Sequence, residues 1–492
     1  MKESVVAVLD VGKTNKKVSL YDRSFQVRAE ERTAFETKDW SGIEVEDTER
    51  LWHWFLESLK KLSADFEIRA IATTTHGATF VLLREDGKLA LPVISYTAEQ
   101  GAEVQEEFYE VFGTREKLNR KTGTADIGFC NMAKVLHYIH TRLPEYWKAC
   151  AHGLFYGPYF GYLLTGVRGL EPTFPGNHTY FWDYTKGEWS GVAHGLEADR
   201  LFGNTVRKSW ESLGTVKPEI AAQCGLSADC QVALGIHDSN ANYLPYLAKG
   251  YKDFLLNSTG TWAVMMRPSS SPELSEDDVA NKIFFNQDAL GRPVRTSLMT
   301  VGMDYDAFRA FSTEKDLGDR AALGRVIAAQ DLFVIPGVLD GGSAFPGTRP
   351  GVISKGVMHP YQSLKETGGT PFAELGQDYL AALDLGLAIG SAAKLATNGI
   401  GPGTTVLIEG GFSKNTLYCE LLATLCPEQT IALTSMTEGT SLGAAITAWM
   451  SATGESLEEA GARFQIETRE VKPRDFGDLE AYRKTFLEYI QP

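Results

Sequence analysis

The chain has 492 residues, of which 43% are hydrophobic and 23% are charged. This composition is ordinary for a globular protein, and the length exceeds what one hydrophobic core normally sustains, so we expect two domains and exclude a disordered chain. The formal net charge of −15 disfavours a nucleic acid or an anionic membrane as partner, although a local basic site is compatible with it.

Cysteine usage and hydropathy indicate the cellular compartment of the protein. The six cysteines show neither a CxxC pair nor metal-ligand spacing, and six thiols in so long a chain do not make a disulfide scaffold. No apolar stretch reaches the roughly 18 residues of a transmembrane helix. The N-terminal segment also reaches Asp10 and Lys13 where a signal peptide would be apolar. We therefore expect a cytoplasmic protein with no membrane partner.

The first predicted element is a hairpin with a polar turn. Residues 5–22, VVAVLDVGKTNKKVSLYD, place Gly12, Thr14 and Asn15 between two apolar runs of strand length. Glycine permits close backbone approach, so N–H groups and hydroxyls in this turn can point at anionic oxygens. Asp10 closes an apolar strand, where a carboxylate suits hydrated Mg²⁺ better than a core. Lys17 offers a cation for a transferring group.

Strands and helices then alternate, which indicates an α/β fold. Residues 47–62 have one apolar helical face, and residues 68–89 have the pattern of strand, loop, strand and turn. Residues 181–189 predict a hairpin with Lys186 and Gly187 at its tip. Residues 231–247 predict a buried strand, a polar turn with His237 and Asp238, and a helix.

A unit similar to the first hairpin recurs halfway along the chain. Residues 253–266, DFLLNSTGTWAVMM, carry Thr259, Gly260 and Thr261 in the turn. A hairpin with glycine and threonine is common without any ligand, so neither turn alone establishes a phosphate site. Two such turns facing each other, however, could grip a polyphosphate from both sides. The repeat therefore predicts a two-lobed phosphotransfer enzyme, with domains at 1–247 and 248–492.

The C-terminal half contributes a third candidate phosphate element. Residues 404–425 predict a strand, a Gly410–Gly411 turn and a helix whose first residues are Ser413, Lys414 and Asn415. The free N–H groups and positive dipole end of such a helix favour an anion, although the motif alone is weak. The Gly- and Pro-rich residues 331–360 predict a long ordered loop over a cleft. Small residues at 439–445 are explained best by close helix packing.

Five ordered blocks together resemble the FGGY family of carbohydrate kinases, of the actin-like ATPase superfamily. They are DVGKTNKK at 10–17, TTTHGATFVLL at 73–83, GIHDSNA at 235–241, NSTGTWAVM at 257–265, and GGFSKN at 410–415 with TEGTSLGAA at 437–445. The resemblance spans nearly the whole chain, and five blocks in order are far more specific than one. It implies an α/β fold of two actin-like (ribonuclease H-like) domains with a deep interdomain cleft that binds ATP, Mg²⁺ and a ketose.

The resemblance also implies roles for individual residues. Asp238 becomes the catalytic base and, with Asp10, a metal-side carboxylate, while His76 and Gly77 contact the sugar. A general base fits the chemistry, because phosphoryl transfer to a weakly nucleophilic hydroxyl needs a carboxylate that accepts the proton late in the reaction. The residues implied in ATP and phosphate binding are Gly12, Lys13, Thr14, Asn15, Lys17, Thr259, Gly260, Thr261, Gly410, Gly411 and Asn415. The sugar side adds His237 and Asn286.

Alternatives stay open at several of these positions. Asp238 has a structural reading as a helix cap, His237 either contacts substrate or completes the turn, and His76 has a reading as a core histidine. Lys13 either adds a cation beside the phosphates or points away into solvent. Phe412 stands where a glycine is typical of the family, and residues 173–184 are bulkier than expected, which either narrows the sugar pocket or packs the core.

The substrate and the class of function also have alternatives. The second and third blocks, with Asn286, favour a deoxyketose such as L-rhamnulose or L-fuculose; xylulose, ribulose or another short ketose or polyol is the alternative. A non-kinase actin-like ATPase would share the hairpins without needing GIHDSNA, and a sugar-binding regulator would lose Asp10, Lys17 and Asp238. Among partners we expect a ketose and ATP but no nucleic acid, and a homodimer is left open.

Overall fold

The computed structural model describes residues 2–126, 131–339, 342–369 and 372–490. Its strands are β1 (Glu3–Val11), β2 (Asn15–Tyr21), β3 (Val27–Ala34), β4 (Lys38–Trp40), β5 (Ile43–Val45), β6 (Phe66–Thr75), β7 (Phe80–Leu83), β8 (His152–Phe155), β9 (Trp182–Asp183), β10 (Glu188–Trp189), β11 (Ser212–Thr215), β12 (Gln231–Ala233), β13 (Ile236–His237), β14 (Phe254–Thr259), β15 (Ala263–Pro268), β16 (Phe284–Gln287), β17 (Pro293–Met299), β18 (Leu332–Ile335), β19 (Gly351–Ser354), β20 (Val357–Pro360), β21 (Thr405–Gly410), β22 (Thr430–Thr434) and β23 (Thr468–Glu470).

The helices lie between and around these strands. They are α1 (Thr48–Leu62), α2 (Ala102–Phe112), α3 (Arg115–Thr122), α4 (Met132–Arg142), α5 (Pro144–Trp147), α6 (Tyr156–Thr165), α7 (Gly191–Gly195), α8 (Ala198–Phe202), α9 (Pro218–Cys224), α10 (Asp238–Ala248), α11 (Glu276–Ala280), α12 (Val301–Arg309), α13 (Ala321–Ala329), α14 (Tyr361–Glu366), α15 (Gly376–Thr397), α16 (Thr416–Leu425), α17 (Gly439–Thr453), α18 (Leu457–Gly461) and α19 (Leu479–Ile490).

The first sheet has the strand order β11-β12-β6-β1-β2-β3, and β13 also pairs with β6. β1 pairs with β2 in antiparallel orientation and with β6 in parallel orientation. Val5 and Ala7 of β1 pack with α1 and α6 on one face, and Val6 and Val8 pack with α17 on the other. Because both faces are covered, β1 is a continuous apolar run rather than an alternating one.

The second sheet repeats this arrangement. Its order is β16-β17-β15-β14-β21-β22-β23, with β14 antiparallel to β15 and parallel to β21. Leu255 of β14 packs with α15 on one face, and Leu256 packs with α10 on the other. The repeated hairpin predicted from the sequence is therefore confirmed, and the α/β fold has two actin-like domains.

Two helices cross between the sheets, and each packs on the sheet formed by the other half of the chain. α10, from the first half of the chain, packs on the second sheet, whereas α17, from the second half, packs on the first. A Cβ at Gly443 of α17 would lie 1.8 Å from the carbonyl oxygen of Ala241 in α10, and a Cβ at Gly439 would lie 1.9 Å from Oδ1 of Asn242. The small residues of this segment thus serve helix packing, as predicted.

Several local predictions can be compared directly. The hairpin at 181–189 forms as β9 and β10, with Gly187 at φ +70° in its turn. The predicted helix at 47–62 is α1, which begins after the N-cap Asp47. The prediction of a long ordered loop over 331–360 is wrong in part, because β18, β19 and β20 form a three-stranded antiparallel sheet there. Residues 340 and 341 of that segment lie outside the described residues.

One helical segment within the described ranges is long and apolar enough to cross a membrane by length and composition. It is Ala373–Thr397, which includes α15, and its apolar window is 83% buried inside the protein. Leu383 and Leu387 of α15 are fully buried in the core beside the second sheet. The apolar character of this helix is accounted for by that packing.

Candidate active site

The turn between β1 and β2 brings Asp10 and Lys17 side by side. These residues are direct cross-strand partners, with Lys17 Nζ 3.5 Å from Oδ2 of Asp10. Ser441 Oγ of α17 donates to the same oxygen at 2.6 Å, and Lys17 also pairs with Glu438. Burial raises the pKa of Asp10. The charge of Lys17 and the hydrogen bond from Ser441 oppose that rise, whereas the nearby charge of Asp238 adds to it. The second oxygen of Asp10 has no partner among the residues described.

The remaining residues of this turn are exposed, except for Gly12 and Lys13, which are partly buried. Thr14 and Asn15 are exposed, and the Gly12 N–H donates to the Asn15 carbonyl at 3.0 Å. Lys13 Nζ lies 3.0 Å from Glu44 Oε1 and 3.1 Å from Glu46 Oε1, and it also donates to Ser95. Lys13 therefore points into an ion-pair cluster rather than into solvent.

Asp238 is the first residue of α10. Its side chain is 32% exposed, and Oδ1 accepts the backbone N–H of Ser239 at 2.6 Å. The neighbouring His237 ring is fixed on both nitrogens, since Nδ1 lies 2.7 Å from Asn240 Oδ1 and Nε2 lies 2.9 Å from Asn177 Nδ2. The ring is therefore rigidly oriented beside the carboxylate, with Nε2 3.1 Å from Asp238 Oδ1.

A buried carboxyl group supports the backbone next to Asp238. Glu171 accepts hydrogen bonds from Thr173 Oγ1 and Ser209 Oγ, both at 2.6 Å, and from the Phe174 N–H at 3.0 Å. Thr173 Oγ1 in turn accepts the N–H of His237 at 2.9 Å. Burial raises the pKa of Glu171 to about 7. No sequence motif pointed to Glu171, which acts at a separation of more than sixty residues.

A cavity of about 610 Å³ opens beside Asp238 and takes its walls from both halves of the chain. Its lining includes the predicted sugar-side residues His76, Gly77, His237 and Asn286, together with Asp238, the predicted base. Four buried polar atoms in this wall have no hydrogen-bond partner within the described ranges: His76 Nε2, Asn177 Oδ1, His178 Nδ1 and Asn286 Oδ1. Buried polar atoms are normally paired, so this wall is suited to a ligand that brings hydroxyl groups.

His76 and Gly77 are placed by close packing. The His76 ring lies between Tyr96 and Tyr156, with centroid distances of 5.0 and 5.4 Å. Burial lowers the pKa of His76, which favours the neutral ring. A Cβ at Gly77 would lie 2.6 Å from Nε2 of His237, so glycine is needed for this approach of the second block to the third.

The second hairpin turn is locked to the Gly410–Gly411 turn. Thr259 Oγ1 donates to the carbonyl of Glu409 and accepts the N–H of Phe412 at 3.0 Å. Gly410 adopts φ +80°, and a Cβ there would lie 2.0 Å from the Thr259 carbonyl oxygen. Thr259 thus links the two turns by hydrogen bonds, while Gly260 and Thr261 line a cavity.

That cavity is a second one, of about 630 Å³. Its lining includes Gly260, Thr261, Gly411, Phe412 and Asn415, so four predicted phosphate or nucleotide residues share one pocket. The two cavities adjoin at the second hairpin, because Thr261 lines this one and Trp262 lines the other. Phe412 packs against Tyr305 and Tyr418 and forms part of the cavity wall.

Asn415 has a different position from the predicted one. α16 begins at Thr416, with Asn415 as its N-cap, whose Oδ1 accepts the N–H of Tyr418 at 3.1 Å. Residues 411–414 form a short 3-10 helix instead. The Asn415 amide also lies 3.4 Å from Asp384, a cavity residue whose pKa is raised to about 7 by burial. Sequence reasoning missed Asp384, because it lies in the middle of the apolar helix α15.

Further contacts join Asp238 to the nucleotide-side turn. Glu409, directly before Gly410, accepts a hydrogen bond from Tyr246 Oη at 2.8 Å and another from Asn242. Both donors belong to α10, which carries Asp238 at its start. Sequence reasoning missed this connection. It also missed Glu438 and Ser441, although Glu409, Glu438 and Ser441 all lie within or beside the five sequence blocks.

Comparison with known proteins agrees with this geometry. The sequence model described as "FGGY family of carbohydrate kinases, N-terminal domain" matches residues 5–244, and "Carbohydrate kinase FGGY, C-terminal domain" matches residues 251–456. An L-fuculokinase of Salmonella typhi is 29% identical over 293 residues, covering 56% of this chain and 59% of that protein. A rhamnulokinase of Enterobacter sp. (strain 638) is 26% identical over 260 residues, covering 51% and 50%. The chain thus spans less than two thirds of the length of either relative.

A solved structure matches over the whole chain. A carbohydrate kinase from Novosphingobium aromaticivorans has a TM-score of 0.82 at 24% identity, covering 100% of this chain and 99% of the other. This similarity concerns the fold. The two matched domain models together cover most of the sequence and contain both turns and both cavities, so the chain belongs to the FGGY family of carbohydrate kinases.

Proposed function

We propose that this protein is an ATP-dependent sugar kinase that transfers the γ-phosphoryl group of ATP to a hydroxyl of a ketose. The observation that carries the proposal is the adjacency of two cavities of about 610 and 630 Å³ at the second hairpin, with Asp238 lining the first. One cavity has the unpaired polar atoms that suit a sugar, and the other has the glycine turn and capped helix that suit a nucleotide.

Asp238 is the proposed general base. One carboxylate oxygen is held by the Ser239 N–H, and the other has no partner within the described ranges, so it is available to a substrate hydroxyl. In the reaction the sugar oxygen forms a bond to the γ-phosphorus, the bond from that phosphorus to the bridging oxygen of ADP breaks, and Asp238 accepts the hydroxyl proton. Positioning and charge neutralisation supply most of the rate enhancement in such transfers.

Asp10 and Asp238 are the proposed metal-side carboxylates. Each has one oxygen without a partner among the described residues, and burial raises the pKa of Asp10, with a smaller contribution from the charge of Asp238. This donor set fits Mg²⁺, which binds proteins through few carboxylates and keeps waters and phosphate oxygens. When bound, the ion would neutralise charge on the phosphates. Lys17 supplies a second positive charge beside Asp10.

The proposed ATP and phosphate contacts come from the three turns. Gly260, Thr261, Gly411 and Asn415 line the second cavity, and Gly410 gives its turn the required backbone conformation. Thr259 serves this site through its two hydrogen bonds to the neighbouring turn. From the first hairpin we propose Gly12, Thr14 and Asn15. Lys13 is left out because it is engaged elsewhere.

For the sugar we propose contacts with His76, Gly77, His237 and Asn286. The lining of this cavity also includes apolar side chains, among them Trp262, Val264, Phe284, Leu298 and Met303. A cavity that combines polar and apolar lining suits a deoxyketose, whose methyl group would contact the apolar side chains, so L-rhamnulose or L-fuculose is our first candidate. Xylulose, ribulose or another short ketose or polyol is the alternative. Cytoplasmic location and a homodimer remain predictions, as do domains at 1–247 and 248–492.

The test is Asp238→Asn, which preserves size but cannot accept the proton. We expect kcat for ketose phosphorylation to fall by roughly 10²- to 10⁴-fold with ATP binding almost unchanged. Asp10→Asn should instead raise the Mg²⁺ concentration needed for turnover. The matched control is Asp86→Asn, a carboxylate in an exposed turn outside both cavities. A folded Asp238→Asn protein within tenfold of wild-type kcat would mean that the base lies elsewhere.

The class of function is tested by ADP release over a panel of ketoses and polyols. Phosphorylation of one member identifies a kinase and its substrate. Slow hydrolysis of ATP that no sugar changes would favour a non-kinase actin-like ATPase, and sugar binding without any ADP release would favour a regulator.

A further inference from the structure

His178 lies in the wall of the sugar-side cavity, in the segment 173–184 that is bulkier than the family pattern. Neither nitrogen of its ring has a hydrogen-bond partner among the described residues, and Nδ1 is shielded from solvent. The ring packs against Phe284, at a centroid distance of 5.4 Å. His178 is half-buried, and a shielded ring nitrogen without a hydrogen bond is costly, so a structural role alone does not explain a histidine here.

The backbone holds this side chain in an unusual but stable position. His178 has φ +54°, in the left-handed region that few residues other than glycine adopt. Its carbonyl accepts the N–H of Met132 at 2.9 Å, and the adjacent Thr179 Oγ1 donates to the Pro175 carbonyl. The neighbouring residue Asn177 holds His237 beside the proposed base. The direction of the His178 ring is therefore coupled to the same loop that orients the reaction centre.

The chemistry of the ring suits a neutral hydroxyl. Burial, together with the nearby His237, lowers the pKa of His178 to about 3, so the ring is uncharged at neutral pH. A neutral imidazole offers one N–H donor and one nitrogen acceptor, which matches the donor and acceptor capacity of a hydroxyl. Phe284, which belongs to β16 in the second half of the chain, packs against the ring.

We propose that His178 is a specificity-determining residue that hydrogen-bonds one hydroxyl of the sugar other than the one that is phosphorylated. This rests on the proposed kinase function. A site built to pair with a hydroxyl rejects an analogue that lacks it, because the polar group in the wall then stays unpaired. His178 would thus select among ketoses that differ at one carbon.

The experiment compares His178→Phe with wild type over the ketose panel, including epimers and deoxy analogues. Phenylalanine keeps a planar ring against Phe284 and removes the hydrogen bonds. We expect kcat/KM to fall about 2- to 10-fold for the preferred sugar, the loss that follows from removing one neutral hydrogen bond. For the analogue without the paired hydroxyl, kcat/KM of the variant should equal or exceed that of wild type, because no polar group is then left unpaired, and KM for ATP should not change.

His137→Phe is the matched control. His137 is also a buried histidine with an unpaired Nε2, but it packs on Phe108 and Phe112 outside the cavity. It should leave the selectivity among sugars unchanged. If phenylalanine at 178 prevents folding, His178→Asn is measured in the same way, because asparagine tolerates the left-handed backbone.

The outcomes separate the two proposals. If the wild-type protein phosphorylates no sugar, the proposed function fails. If wild type is active and His178→Phe or His178→Asn has the same kcat/KM ratios between sugars, the assignment of His178 is wrong. Equal loss for every sugar with a lowered Tm would also overturn it, since that result indicates a structural residue.

Discussion

Substitution of Gly443 by alanine tests how the two lobes are joined. An added Cβ would lie 1.8 Å from the carbonyl oxygen and 2.5 Å from the carbonyl carbon of Ala241, both of which belong to the backbone of α10. Neither atom can rotate away, so α10 and α17 must separate by more than 1 Å. Overpacking of this kind costs about 1–3 kcal/mol. It outweighs the roughly 0.5–1 kcal/mol that alanine gains over glycine inside a helix.

The matched control is Gly324→Ala in α13. Gly324 is exposed inside a helix and has nothing within 4 Å of the added Cβ, so it receives the helical gain alone. We expect urea denaturation to show a lower midpoint for Gly443→Ala and a slightly higher one for Gly324→Ala. Because Ala241 lies three residues after Asp238, a displacement near 1 Å should also reduce kcat by up to roughly 10²-fold. A Gly443→Ala protein as stable and active as wild type would refute the tight crossing.

Two further predictions concern closure and pH. ATP hydrolysis should be slow without sugar and strongly raised by the right ketose, because closure keeps water from the phosphoryl group; an ADP-release assay with equal rates in both conditions would contradict this. Glu171 has a folded pKa of about 7, above its unfolded value of 4.5. Its contribution is therefore fully present below pH 4.5 and is lost as pH rises through 7, a change of about 3 kcal/mol. In Glu171→Gln the urea midpoint should therefore decrease less between pH 4 and pH 8 than in wild type. An equal decrease in both proteins would contradict this role of Glu171.

The parts of the fold that the sequence predicted are those decided locally. β1 and β14 were recognisable because each is buried on both faces and ends in a polar turn. α1 was recognisable because its apolar residues share one face and Asp47 caps it. The start of α16 was misplaced, because Ser413 and Lys414 are as compatible with a 3-10 turn as with a helix, and the capping hydrogen bond of Asn415 decides between them.

Contacts between distant segments were not predictable in this way. Lys13 was assigned to phosphate by its place in the turn, yet its partners Glu44, Glu46 and Ser95 come from two later segments. Ser441 meets Asp10 across 431 residues of sequence. In both cases the side chain is long or polar enough to have several possible partners. Tertiary packing decides which partner it contacts, and no local sequence pattern encodes that packing.

The exchange of α10 and α17 explains the positions of the proposed catalytic carboxylates Asp10 and Asp238. Asp238 begins the helix that packs on the second sheet, and Ser441, in the helix that packs on the first, donates to Asp10. The backbones of the two helices touch at Gly443, so the two carboxylates are positioned by backbone packing rather than by flexible side chains. The walls of the sugar-side cavity come instead from loops of both halves, such as those carrying His178 and Trp262. The positions of the proposed catalytic carboxylates are thus set by the helix crossing, whereas the proposed sugar contacts depend on loops outside it.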